Sequence, residues 1–496
     1  MNGLTTGGSA GPRRFPRDFL WGVGTSAYQI EGAVDERGRC IWDVFAHASG
    51  NVNRGDTGDI ACDSYHHSAD DLRMLEELGV GAYRFSVAWS RVLPEGTGAV
   101  NQRGLDYYRA LVHELRRREI VPVLTVYHWD LPQALEDAGG WAQRDTAHQL
   151  AEYAAVLAAA LGDEVGMWIT VNEPKQAVHQ GYRVGTHAPG HRDDALAAAA
   201  THHVLLGHAF AHQALRAALP AGVPLGVTLD PHPYRALADD ARAAVAQLDT
   251  EHNRIYVDAV LHGVYPADAR PQLLPPDALI QSGDMVAIAV PLDFLGINYY
   301  RPHYIRRGDW EALALGESPV VDQPGFVEYL PPDQPRTVMD WLVDPDGLYD
   351  VLTGIHAEAP GLALYVTENG CAAEDYVDPE GDVRDDERIA YLHGHLDAAW
   401  RALQDGARVA GYFHWSLMDN FEWTRGYQRR FGLYYTDFAT QRRRPKRSAA
   451  FYAALTRSGE LPEFGGPAQA GEAASGPVVA GPAPDIAVAP EPALPG

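Results

Sequence analysis

LALYVTENG, residues 362–370, joins two properties that rarely share one strand. Leu362 through Thr367 is an unbroken apolar and β-branched run, as expected of a parallel strand buried on both faces. It then delivers Glu368, followed by Asn-Gly, a strong turn signal. An ionised carboxylate in apolar surroundings needs compensation nearby. Working outward, further strand-like runs lie around 19–23, 81–87, 121–127, 167–172, 224–229, 292–298 and 408–414, with this one at 362–367. Helix-compatible stretches separate them at 101–119, 145–161, 192–219, 237–262, 386–405 and 446–456. Eight strands, each followed by helical sequence, predict an α/β fold, a single (β/α)8 TIM barrel with long loops over its C-terminal face. The competitor, an open doubly wound sheet, lacks its glycine-rich fingerprint after the first strand. The longest departure from the pattern, roughly 301–345, has no clear period and is expected to loop over the barrel mouth.

The chain has 496 residues, within reach of one large barrel carrying insertions. Residues 14–464 are assigned to the barrel domain, 1–13 to a disordered start and 465–496 to a disordered Pro/Ala/Gly-rich tail. Net charge is −26, which argues against nucleic acid or an anionic membrane as partner. Only two of the 40 basic residues are lysine, Lys175 and Lys446. Cys40, Cys62 and Cys371 are too scattered for a disulfide framework or a zinc site, which points to a reducing cytoplasm. The start lacks the apolar core of a signal peptide, and no apolar run is long enough to span a bilayer.

Chemistry in such barrels sits where strands end. MWITVNEP, residues 167–174, closes the fourth candidate strand with Glu173 much as Glu368 closes the seventh. Two carboxyl groups facing one cavity suit glycosidic bond cleavage, although strand-end acids also cap helices and form ion pairs. Arg84 in YRFSVAWSR (83–91) can keep Glu368 ionised by direct pairing. His128 and Trp129 end the third strand, Asn298, Tyr299 and Tyr300 the sixth, and Trp415, Glu422 and Trp423 follow the eighth. Indole faces and hydrogen-bonding groups together match a pyranose, whose C–H faces stack while its hydroxyls donate and accept.

On these segments, with FPRDFLWGVGTSAYQIEGA, YHWDLPQALEDAGGW, FLGINYY, WSLMDNFEW and RFGLYYTDF, the chain resembles glycoside hydrolase family 1, the β-glucosidase family, over about residues 14–458. The resemblance implies Glu368 as nucleophile and Glu173 as general acid/base. It implies Asn172 on the sugar 2-hydroxyl, and Arg84 and Tyr300 holding Glu368. Gln29, His128, Trp129, Glu422 and Trp423 would form the sugar pocket, with Trp415 as its stacking floor. A raised pKa is expected at Glu173, and retention of configuration predicts carboxyl groups about 5–5.5 Å apart. The expected activity is retaining β-glucosidase on small β-glucosides and cello-oligosaccharides, with no cofactor and no metal; the oligomeric state is left open. Galactose or fucose preference, sugar transfer, and a non-enzymatic sugar-binding protein stand as alternatives.

Three departures from the family pattern point to the leaving-group side. Lys175 in NEPKQ stands where many relatives have Trp, Asp340 precedes Trp341 where Gly is frequent, and His414 precedes Trp415. They predict a more polar leaving-group site around Lys175 and Trp341. A carboxylate at Glu422 is expected to repel 6-phosphosugars. His208 and His212 are spaced i, i+4 on one helix, yet no HExxH arrangement accompanies them.

Overall fold

The computed structural model describes residues 13–313, 317–320 and 322–462. Eight parallel strands close into a barrel: Leu20–Gly24, Ala82–Ser86, Val121–Tyr127, Met167–Asn172, Leu225–Leu229, Phe294–Asn298, Ala363–Asn369 and Val409–Trp415. Each falls where the apolar runs placed it. Closure is direct, since Leu20–Gly24 pairs with both Val409–Trp415 and Ala82–Ser86. The interior below the mouth is filled by Ala82, Val123, Met167, Ile169, Phe294 and Phe413. Alternate residues such as Leu364, Val366 and Trp168 pack outward against the helices.

The outer layer contains all six expected helical stretches. It also contains Ser64–Leu78 and Pro345–Glu358, which the sequence reading had not singled out. The stretch at 237–262 is one helical path interrupted by a π-helical turn, Thr250–Arg254. Asp193 caps the longest helix, Asp194–Ala218, by accepting from the amides of Ala195 and Leu196.

The region at 301–345 corrects the expectation of an unpatterned loop. It contributes His303–Arg307, Glu317–Pro319 and Phe326–Tyr329 to a four-stranded sheet completed by the distant Tyr234–Ala236. Short strands whose partner lies some way off in sequence leave little periodic trace. Arg13 pairs with Asp397, and its carbonyl accepts from Leu461; the rest of the expected disordered start and tail lies outside the described residues. Among the described residues no helix is long and apolar enough to cross a membrane.

Candidate active site

Slips in the barrel register bring Asn172 and Glu368 to the mouth, and a left-handed turn brings Glu173 beside them. Ala363 and Tyr365 point inward while Leu364 and Val366 point outward. Strict alternation would therefore send Glu368 out with Val366. The register with the sixth strand shifts between Val366 and Glu368, and Glu368 turns into the cavity. A matching shift separates Ile169 from Asn172 on the fourth strand. Glu173 then takes a left-handed conformation, φ 47°, at the N-terminus of Pro174–Val178. Trp129 and Trp423, also at the mouth, share that uncommon backbone region, and such outliers collect at functional sites.

The resulting cavity has a volume of about 510 Å³, and its walls include Glu173, Glu368, His128, Trp129, Trp415 and Trp423. The Arg84 guanidinium donates to Glu368 Oε1 at 2.5 Å and to Asn172 Oδ1 at 2.6 Å. Tyr300 donates its hydroxyl to Glu368 Oε2 at 2.7 Å. Asn298 donates to Glu173 Oε1 at 2.5 Å and to Asn172 Oδ1 at 3.1 Å. It is itself oriented by Thr367, which donates to its carbonyl at 2.8 Å. Trp129 donates its indole N–H to the Asn172 carbonyl. Arg84, Asn172, Asn298, Glu173 and Glu368 thus form one buried network.

Its two carboxyl groups are compensated unequally. Burial pushes Glu173 well above the usual carboxylate range, and the charges of Asp230 and Glu368 push it further; the Asn298 amide and Lys175 oppose them. Burial raises Glu368 as well, but Arg84, Tyr300 and Asn298 all act against that rise. Of the two, Glu173 is built to hold a proton and Glu368 to lose one.

On the sugar-facing side, the His128 ring stacks on Trp415 at 5.7 Å and 19°, and Trp129 lies against Trp423 at 4.8 Å. Burial, then Arg84, keeps His128 neutral by lowering its pKa well below the ordinary value. Glu422 lies on the same wall, its carboxyl raised to about 8 by burial and by Glu368. Gln29 is fully buried. Its amide donates to Asn420 Oδ1 and the Phe421 carbonyl and accepts from Ser26, bracing the loop that carries Glu422 and Trp423.

Of the residues expected on the leaving-group side, Lys175 lies on the cavity wall, buried and bonded to Asp230 at 2.9 Å. Trp341 packs against Tyr300 at 5.5 Å. Asp340 is exposed with φ 59°, a conformation glycine adopts more cheaply. His414 departs from its expected place: it alternates with Trp415 and points away from the cavity, toward Tyr452 and the Phe431 carbonyl. His208, also remote, bonds Thr170 Oγ1 at 2.6 Å on the barrel's outer face.

Sequence reading passed over Asp230, although LGVTLD ends the fifth strand on an acid by the same signal that flagged Glu173. It noted Asn298 without giving it a task. His179, His187, His232 and His252 on the cavity wall come from connecting segments, where no strand end marks them.

Fold and cavity together define a barrel hydrolase with paired carboxyl groups at the mouth. Residues 12–460 match the family description "Glycosyl hydrolase family 1", and the chain belongs to that family. It is 40% identical to Beta-glucosidase A of Thermotoga maritima, covering 90% of this chain and 99% of the relative. It is 43% identical to the bifunctional beta-D-glucosidase/beta-D-fucosidase of Bifidobacterium breve over 88% of this chain and 97% of that one. The structure of the Thermotoga maritima beta-glucosidase in complex with deoxynojirimycin superposes with a TM-score of 0.84, covering 90% of this chain and all of that one.

Proposed function

We infer that this chain is a retaining β-glucosidase, with Glu368 as nucleophile and Glu173 as general acid/base. The supporting observation is the unequal compensation of two carboxyl groups in one network: Arg84 and Tyr300 bond Glu368 directly, whereas Glu173 has the Asn298 amide and the Lys175 charge against burial and two nearby carboxylates. In the first step Glu173 gives its proton to the glycosidic oxygen as Glu368 attacks the anomeric carbon. The C–O bond to the leaving group breaks, the aglycone departs as an alcohol, and a glycosyl ester forms on Glu368. Glu173, now ionised, takes a proton from water; the hydroxyl attacks the same carbon and frees Glu368. Two inversions give net retention.

Trp415 and Trp423 offer the apolar faces for the glycone, neutral His128 can donate and accept toward its hydroxyls, and the Glu422 carboxyl can accept from them. Cello-oligosaccharides are favoured over aryl glucosides by the Lys175–Asp230 pair on the leaving-group wall. Fucosides are a second glycone class, given the dual activity named for the Bifidobacterium breve relative. The three unpaired, buried thiols fit a reducing, cytoplasmic setting.

The test is Glu368→Gly assayed on p-nitrophenyl β-D-glucoside with and without azide. Loss of turnover, with azide rescue yielding the α-glucosyl azide, is expected. A fully active variant, or a β-configured azide product, would overturn the assignment.

A further inference from the structure

Two histidines of the cavity wall meet one carboxylate in a cluster that does not include the hydrolytic pair. His179 opens the π-helical turn His179–Val184, and His252 lies within the π-helical turn Thr250–Arg254. Such turns make up well under 1% of residues in folded proteins and frequently mark functional sites. The two come from separate parts of the chain, yet their histidine rings lie 5.0 Å apart, and both line the substrate cavity. Asp322, buried beneath them, arrives from the sheet insertion. Donor atoms of His179, His252 and Asp322 all lie within 4.8 Å of one another.

The geometry and charge suit a cation. His252 Nε2 and Asp322 Oδ2 are 3.1 Å apart, about the separation of two donors each roughly 2.1 Å from one ion at a near-right angle. An ion would take the place of the proton they now share. Asp322 is held in orientation by Arg183 and Arg270, as ligating carboxylates are by outer partners. Those guanidiniums do not cancel the site's negative character. Arg183 also pairs with Asp194 and Arg270 with Glu251, and nearby Lys175 is matched by Asp230, so three cations face four carboxylates.

We propose that His179, His252 and Asp322 bind a divalent late first-row transition ion of the Co²⁺, Ni²⁺, Cu²⁺ and Zn²⁺ class, for which two imidazoles and one carboxylate are a matched donor set. The ion would clamp three chain segments together across the path of the departing aglycone. Binding therefore inhibits turnover reversibly and takes no part in the chemistry.

The experiment uses full-length, untagged protein freed of metal with EDTA and titrated with CoCl₂, following visible absorption. One tightly bound equivalent is expected, with affinity at least about tenfold weaker in His179→Gln and in His252→Gln. Asp322→Asn serves as a further variant should either glutamine variant unfold in metal-free buffer. Co²⁺ binding that survives all three changes, or that is lost on His262→Gln in the surface cluster Asp258, His262 and Glu358, would overturn the site. The inhibitory role is read separately. NiCl₂ should suppress cellobiose hydrolysis by the parent protein, reversibly on adding EDTA, and spare His252→Gln. Equal inhibition of both overturns that role. The absorption readout does not depend on the chain cleaving sugars.

Discussion

Arg84 touches Glu368, Asn172 and the Thr367 carbonyl at once. Replacing it with Met removes the guanidinium that opposes the burial-driven rise at Glu368. Since the nucleophile must be ionised, the acidic limb of the kcat/KM profile should move to higher pH. The rate at the optimum should fall about 10²–10³-fold, as when one charge-stabilising donor is removed from an active site. Asp230 acts on the opposite limb. Its charge raises Glu173, so Asp230→Asn lowers that pKa and shifts the basic limb to lower pH. A pH–rate profile of each variant checks the direction, and a shared shift of both limbs would contradict the division of roles. Glu173, Glu368 and Arg84 were legible because each interrupts an apolar strand. Asp230 carried the same mark and was overlooked, whereas His179 and His252 carried none, being brought to the cavity by the fold of connecting segments.

The eight barrel strands could be read nearly to the residue because burial on both faces leaves an unbroken apolar run. What the runs could not show is where alternation breaks. The slips before Asn172 and Glu368 are properties of pairing between strands, invisible in either strand alone. The same limit hid the sheet built from Tyr234–Ala236 and the insertion. Gly296, on the sixth strand, shows how tightly the slip region is packed. A Cβ there would lie 2.4 Å from Thr228 Oγ1 and 2.8 Å from Thr367 Oγ1. Gly296→Ala should cost about 1–3 kcal/mol by overpacking, read as a lowered denaturation midpoint. It should also reduce activity per folded molecule, because Thr367 orients Asn298 and precedes Glu368. Unchanged turnover in the folded variant would show that the strand relaxes without moving the carboxyl.

Across the whole molecule, the last helix is joined to the loops after the seventh and eighth strands through a buried ionic cluster. Lys446 bonds both Asp375 and Asp419 at 2.6 Å, and Arg388 bonds Asp375 and Asp385, the latter also holding Ser448 at the start of Arg447–Ser458. Lys446→Met leaves two buried carboxylates short of a cation and should destabilise by about 3–5 kcal/mol, seen as a large drop in the thermal midpoint. Burial alone would raise Asp375, but Lys446 and Arg388 bring its pKa below the ordinary value. Its contribution is thus present above about pH 4, the unfolded value, and is lost as pH falls through the lower folded one. Acid titration of stability should lose that component in the variant.

Both lysines of the chain are thus spent inside: Lys175 against Asp230 and Lys446 against Asp375 and Asp419, each almost wholly covered. The outer surface therefore carries arginine but no lysine. Amine-coupled supports would find no ε-amino group on the outer surface to grip, which favours attachment of the folded enzyme through carboxylates.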